Sequence, residues 1–505
     1  MTAWREYRDH KRRTILSTYQ VLGFLSSGTY GRVYKACLRH PEAPERTSRQ
    51  GSQRGGSSSR VPSPNGAKNG KARENEPDAG VYAIKKFKAD KEAEAPSYTG
   101  ISQSAMREIA LNRELRHENI VTLREVMLED RAIYMVFSYA SHDFLQLIHH
   151  HSTVLREGIS PTVLKSLLFQ LLSGVHYLHS NWVLHRDLKP ANILLTHSGV
   201  VKIGDLGLAR LYSQPLQPLY NGDKVVVTIW YRAPELLMGA RHYTPAIDMW
   251  AVGCIWGELL SLRPLFKGEE AKMEGKGKPS AVLQTDQMAK IVDILGPPSK
   301  ERWPSIDTMP EWRGYCAAMR FGPDDGHSSK LSNWFASRSR PPHGASLFER
   351  LLMYDPGKRV TAERALEHAW FKEEPVPTRN AFASLPLGVS IYPPRRLHSD
   401  TTDPVLNVDP SQVAPALINS GGGGLGGGTS MAFPGPAAPA PAPASGGSLP
   451  NSVGPSGYLN SVSGGVGIGH LGGIAGLGQS SSATGRGGMV ATAAANAQNK
   501  RAKLG

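Results

Sequence analysis

His185-Arg186-Asp187-Leu188-Lys189-Pro190-Ala191-Asn192, followed further on by Asp205-Leu206-Gly207, is the stretch that decides how this chain is read. Moving a phosphoryl group onto a hydroxyl needs a carboxylate to accept the hydroxyl proton. It also needs oxygen ligands for Mg²⁺ and cations on the moving phosphate. Asp187, Lys189 and Asn192 supply these groups within six residues. The β-like runs Ile193–Leu195 and Val200–Ile203 predict a hairpin that returns Asp205 to the same cleft. Ala233-Pro234-Glu235 then follows in order, which a chance charged turn would not require.

Toward the N-terminus, Gly28-Thr29-Tyr30-Gly31-Arg32-Val33 follows one strand-like run and enters another. Glycines let a backbone fold closely over phosphates, but a Gly-rich hairpin turn has the same composition. Lys85 sits on the alternating run Tyr82-Ala83-Ile84-Lys85-Lys86-Phe87. It either points into a cleft, where it would hold phosphates, or faces solvent. Glu108 is either the partner of Lys85 or an exposed helix charge.

The surrounding chain divides by composition. Of 505 residues, 53 are Gly and 37 are Pro, and hydrophobic residues make up 40%. The excess of Gly and Pro implies low-complexity segments beside a real core. Pro41 to Gly80 is Ser, Gly, Arg, Asn and Pro with few apolar residues, and reads as a disordered insertion between strands Arg32–Cys37 and Val81–Phe87. Glu269 to Ser280 is a shorter Gly/Lys/Glu loop. The tail from about Thr401 to Gly505 contains SGGGGLGGG and PGPAAPAPAPASGG and reads as flexible. Between these segments, residues 19–137 give β-like runs, beginning with Val21–Leu25, and one helical run, Ser104 to Arg116. Residues from 142 onward are mainly helical, with helices over Leu164–Ser180 and Ile247–Leu260. The pattern predicts an α+β fold of two lobes, small and β-rich, then larger and helical.

Net charge is +15. No stacking aromatics or recognition motif accompany it, so neither direct nucleic-acid binding nor a membrane partner is expected. Cys37, Cys254 and Cys316 lie far apart, which excludes a disulfide scaffold and a Cys-rich zinc site and fits a reducing compartment. The polar, basic start carries no apolar secretory core, and the most apolar run, Ile247 to Leu262, contains Asp248 and Glu258. A soluble intracellular protein is expected.

On these motifs the chain resembles the eukaryotic protein kinases from about Tyr19 to Phe371. The resemblance implies ATP and Mg²⁺ as cofactors. Leu25, Ser26, Ser27, Gly28, Thr29, Tyr30, Gly31, Arg32 and Val33 would cover the nucleotide, with Ala83 beside it. Lys85 would hold the ATP phosphates and pair with Glu108. Phe137 would stand behind the adenine, with Ser138, Tyr139 and Ala140 as the hinge. Asp187 would be the catalytic base, with Lys189 and Asn192 beside it, and Asn192 and Asp205 would ligate Mg²⁺. Glu235 would pair with Arg359. The corresponding layout is an arm over 1–18, a kinase domain over 19–371 (small lobe to 137, hinge 138–141, large lobe from 142), an extension over 372–400 and the tail 401–505. Lys189 marks the serine/threonine type.

Ser102-Gln103-Ser104-Ala105-Met106-Arg107-Glu108 resembles the cyclin-binding helix of cyclin-dependent kinases. Val226 to Glu235 resembles their substrate-side segment, which favours proline after the target Ser or Thr. Ser180 to His185, Arg241 to Thr244 and Phe137 to Asp143 are similar to the Mediator-associated group of that family. This implies a cyclin C-like partner, other Mediator kinase-module subunits, a nuclear location and transcription-regulating activity, repressing or activating. The implied substrates are the repeat tail of RNA polymerase II and transcription factors. In the family a phosphothreonine stands five residues before the position of Thr228; here that residue is Asp223, and the arginines that would collect the phosphate are Arg107, Arg186 and Arg210. One charge and two oxygens order a loop less firmly than a phosphate, so a protein partner is expected to complete the activation loop. Two departures, Ser26 for the first glycine and Asn112 for a usual leucine, keep open a catalytically silent structural subunit. A cyclin-dependent kinase outside transcription also stays open. The basic end Asn499 to Lys503 reads as a nuclear-localisation signal or a plain charge cluster, and Trp4–Arg13 as a docking helix or a frayed end.

Overall fold

The computed structural model describes residues 13–28, 31–39, 80–87, 103–129, 132–212, 228–242, 244–271, 283–320, 329–339, 343–383, 385, 392–403 and 406–408. The insertion (Gly80 apart), Thr29, Tyr30, Asp223 and the chain beyond 408 lie outside these residues, as does Trp4–Arg13 except for Arg13.

A short helix α1 (Ile15–Thr18), capped by Thr14, leads into the small lobe. Its sheet is five-stranded and antiparallel, in the order β1 (Tyr19–Ser27), β2 (Gly31–Leu38), β3 (Val81–Phe87), β5 (Ala132–Ser138), β4 (Leu123–Glu129). Residues on a strand alternate between faces. Val33 pairs with Lys85 on one face, and Arg32 with Lys86 and Tyr34 with Ile84 on the other. Both faces are covered. Ile15, Tyr19, Tyr34, Ile84, Tyr134 and Leu406 form one cluster. Ala105, Leu123, Met135 and Phe137 form the second, beneath helix α2 (Gln103–Glu114). At Gly31 an added Cβ would lie 2.5 Å from the Lys86 carbonyl oxygen, so the β2–β3 approach admits no side chain there.

The chain leaves β5 at Ser138 and enters the large lobe through β6 (His142–Asp143) and α3 (Phe144–His150), which Asp143 caps through the Gln146 N–H at 2.8 Å. Helix α4 (Pro161–Ser180) starts with Ser160 as cap and Pro161 in its first turn. Leu164, Leu167, Leu168, Leu171, Leu172, Val175 and Leu178 make its buried stripe. Each such side chain contributes about 1.5–3 kcal/mol when fully buried. Between α4 and the central helix lie β7 (Val183–Leu184), β8 (Ile193–Leu195), β9 (Val201–Ile203), β10 (Arg210–Leu211) and helix α5 (Pro234–Leu237).

Helix α6 (Ala246–Ser261) is buried nearly all round, which explains its lack of a polar face. Trp250 stacks with Phe266, and Trp256 with Trp370 at 4.6 Å. Arg359 lies over the Trp250 ring and makes a bidentate, buried ion pair with Glu235 at 2.7 and 3.0 Å. The α+β, two-lobed kinase fold is therefore present. No helix among the described residues is long and apolar enough to cross a membrane.

One boundary differs from the sequence reading. Two residues early in the expected flexible tail are packed: Asp403 and Leu406 are each 1% exposed. Their burial comes from ion pairing and one leucine, which composition does not reveal.

Candidate active site

Between the lobes lies a cleft of about 360 Å³. Leu25, Ser26, Ser27, Gly28, Gly31 and Val33 line its upper side. The turn is closed by the Gly28 N–H donating to the Gly31 carbonyl at 2.8 Å. Phe137, Ser138, Tyr139 and Ala140 form its back and outer edge, with Ala83 beside Phe137 on the neighbouring strand. Arg32 is not among the lining residues. The strand pleat sends it to the other face, where its Nε lies 3.7 Å from Asp400.

Lys85 reaches into the cleft from β3. Its Nζ lies 2.7 Å from Glu108 Oε2 on α2 and 3.0 Å from Asp205 Oδ1. Burial alone would lower the ammonium pKa, but the two carboxylates outweigh it and hold it above the ordinary lysine range. Burial would likewise raise Asp205, and Lys85 reverses that, leaving its carboxyl below its usual range. Asp205 stands at φ 58°, a left-handed conformation uncommon for a non-glycine residue. The β8–β9 hairpin returns it to the cleft that Asn192 also lines, as the sequence predicts. Its neighbour Gly207 is held to α2, where Ser104 Oγ and Arg107 Nη1 both donate to the Gly207 carbonyl at 3.1 Å.

Across the cleft, the buried Asp187 carboxylate accepts from Lys189 Nζ at 2.8 Å and from Asn192 Nδ2 at 3.0 Å, both on Oδ2. Its Oδ1 is buried with no hydrogen-bond partner among the described residues. An acceptor left open on a cleft-lining carboxylate suits a hydroxyl proton. Asn192 also gives Nδ2 to the Asp187 carbonyl, so its amide oxygen remains for a cation. That oxygen and the Asp205 carboxylate are the hard donors Mg²⁺ prefers, and the site fits the ion.

The loop that carries Asp187 is held from below by a residue the sequence reading had treated only as a helix charge. Asp248, 1% exposed at the start of α6, accepts from the backbone N–H groups of His185 and Arg186 at 2.9 Å each and contacts His179 Nε2 at 3.0 Å. Burial would raise its carboxyl, but these partners lower it. His185 Nδ1 accepts from the Asp187 N–H, which assigns the ring proton to Nε2, bonded to the Gly204 carbonyl.

Thr228 is exposed before a short turn at Ile229–Tyr231. Arg186 Nη1 donates to the Leu208 carbonyl, one residue from the Gly207 carbonyl that Arg107 holds and two from Arg210. Arg107 and Arg186 thus hold the short segment that leads into Arg210. Asn112 is buried; its Nδ2 donates to the Glu108 carbonyl at 2.8 Å, while its Oδ1 is without a partner among the described residues.

A family model for the protein kinase domain matches residues 68–371. The chain belongs to the protein kinase family. Within that family it stands with the serine/threonine-protein kinases. It is 54% identical over 477 residues to serine/threonine-protein kinase SSN3 of Mycosarcoma maydis, an alignment covering 80% of this chain and 66% of that protein. It is 51% identical over 399 residues to serine/threonine-protein kinase ssn3 of Aspergillus terreus, covering 76% and 82%. A third relative, SSN3 of Yarrowia lipolytica, is 50% identical over 402 residues, covering 79% and 88%.

Proposed function

We propose that the chain transfers the γ-phosphoryl group of ATP to Ser or Thr, with preference for Ser-Pro, as a cyclin-dependent kinase of the Mediator kinase module. The observation that carries this reading is that Asp187, whose Oδ1 has no hydrogen-bond partner among the described residues, lines the same cleft as the Lys85–Asp205 pair. The kinship with serine/threonine-protein kinases named SSN3 supports it.

In this reading Lys85 binds the nucleotide phosphates and Glu108 holds Lys85 in place. Bound Mg²⁺, held by Asn192 and Asp205, would supply positive charge at those phosphates. The Asp187 carboxylate accepts the hydrogen bond of the substrate hydroxyl and takes its proton as the hydroxyl oxygen bonds to the γ-phosphorus. The bond from phosphorus to the β–γ bridging oxygen breaks, and its electron pair leaves with ADP. Lys189, bonded to the same carboxylate, places a cation beside the moving phosphoryl group.

The partner is a cyclin C-like subunit within the kinase module. Met106 supports this: it lies in the cyclin-helix-like stretch of α2 and is 54% exposed. The substrates are the repeat tail of RNA polymerase II and transcription factors, and the site of action is the nucleus. Asp223 would order the activation loop through Arg107, Arg186 and Arg210, with the partner completing it. Phosphate transfer to a Ser-Pro repeat peptide tests the reading, with and without a co-expressed cyclin C-like subunit. Transfer that requires the subunit is expected. Absence of transfer in every mixture, with normal ATP binding and assembly, would leave a structural subunit instead.

A further inference from the structure

The sheet order leaves β1 with one open edge, and β1 runs directly into the phosphate-covering turn. A segment from far along the chain closes part of that edge. Phe24 N–H donates to the His398 carbonyl at 2.9 Å, and His398 N–H returns to the Phe24 carbonyl at 3.0 Å. Phe24 immediately precedes Leu25, the first residue of the cleft roof. Beyond His398 the segment crosses the outer face of β2 and β3. Tyr34 Oη lies 2.7 Å from Asp400 Oδ2 and 3.0 Å from Asp403 Oδ2. Lys86 Nζ donates to Asp403 Oδ2 at 2.7 Å, while Asp403 Oδ1 accepts from the Leu406 N–H at 3.3 Å. Leu406 then enters the outer core of the small lobe.

The other end is fixed in the large lobe. Tyr392 is buried there, its hydroxyl 2.9 Å from His151 Nε2, and Arg395 makes an ion pair with Asp143 at 2.8 Å. The two anchors lie on opposite sides of the hinge, so the segment constrains both the edge of the sheet and the lobes it joins.

We propose that residues 392–403, with Leu406, are a strap that positions the phosphate loop over the nucleotide, with Asp403 as its principal positioning residue. Asp403 acts through Lys86 and Tyr34. These stand on the face opposite Lys85 and Val33, on the same two strands, so pulling on one face sets the height of the other. A buried, charge-assisted contact of this kind resists distortion far more than a surface pair. The strap rests on the nucleotide reading of the cleft.

The test uses the full chain in the form that transfers phosphate and compares wild type, Asp403→Asn and Asp403→Glu. ATP KM, peptide KM, kcat and MgATP affinity by titration are read together with melting temperature. Asp403→Asn is expected to raise the ATP KM and Kd about five- to tenfold with peptide KM unchanged, and Asp403→Glu to restore them to within about twofold. Should Asp403→Asn fail to fold, Lys86→Met severs the same contact from the strand side and carries the same expectation. An ATP KM and Kd equal to wild type, whatever the melting temperature does, overturns the strap. A wild type that binds no MgATP overturns the nucleotide reading and the strap with it.

Discussion

Lys85 Nζ lies 2.7 Å from Glu108 Oε2, so the cleft-lining lysine of the small lobe takes its position from helix α2. Glu108 is 1% exposed, and Asp205 gives Lys85 a second carboxylate. In the proposed reading, any displacement of α2 would move the cation that binds the nucleotide phosphates, which would tie partner binding on that helix to the chemistry in the cleft. Glu108→Gln keeps the shape and removes one charge. Hydrogen bonds to charged groups are worth roughly 1.5–3 kcal/mol, so kcat/KM for ATP should fall about ten- to hundredfold. Steady-state kinetics with circular dichroism as a folding control checks this; an unchanged kcat/KM would show that Asp205 alone orients Lys85.

Asn112 lies one turn beyond Glu108 on the same helix and brings a buried oxygen without a partner among the described residues. Such an atom costs on the order of 1–3 kcal/mol. Its one bond, from Nδ2 to the Glu108 carbonyl, recovers less than that. Asn112→Leu is expected to stabilise the fold by about 1 kcal/mol and to raise the activity of the subunit without its partner. Urea unfolding and partner-free transfer assays measure both. A less stable variant would mean that the oxygen has a function that leucine cannot replace.

His142 in β6 is 3% exposed, and burial, with His197, Arg395 and His150 nearby, lowers its pKa to about 4, against a small opposing effect of the Pro393 backbone. The unfolded chain takes up this proton near the ordinary histidine value, while the folded chain resists until far lower pH. Below about 6.5 the unfolded state binds more protons, so stability falls as pH drops from about 6.5 to 4, by about 2–3 kcal/mol in total. Above 6.5 the effect is absent. Melting temperature against pH should show a shallower acid slope in His142→Gln than in wild type. Parallel curves would place the acid sensitivity elsewhere.

Which parts of this could be read in advance follows from how far apart the cooperating residues lie. Asp187, Lys189, Asn192 and Asp205 were readable because one turn and one hairpin, all local, assemble them. Lys85 and Glu108 needed the kinase resemblance, since pattern alone left both open as surface charges. Asp248 was missed as part of the site: it sits in a helix otherwise read for its apolar character, and its role is to accept two backbone N–H groups from a distant loop. Arg32 was misplaced because the turn motif does not state which face each residue takes. The strap read as extension and tail because the chain around His398 is polar. Its anchors in the small lobe are Asp400, Asp403 and a single leucine rather than an apolar period.

Asp187→Asn tests the central claim most directly. The substitution keeps the shape of the side chain and removes the carboxylate that would take the hydroxyl proton. MgATP binding and phosphate transfer to a Ser-Pro peptide are measured side by side, in the same partner-bound form as wild type. MgATP affinity within about twofold of wild type and transfer reduced by at least about a hundredfold are expected. Transfer at the wild-type rate by Asp187→Asn would contradict the assignment of Asp187 as the base.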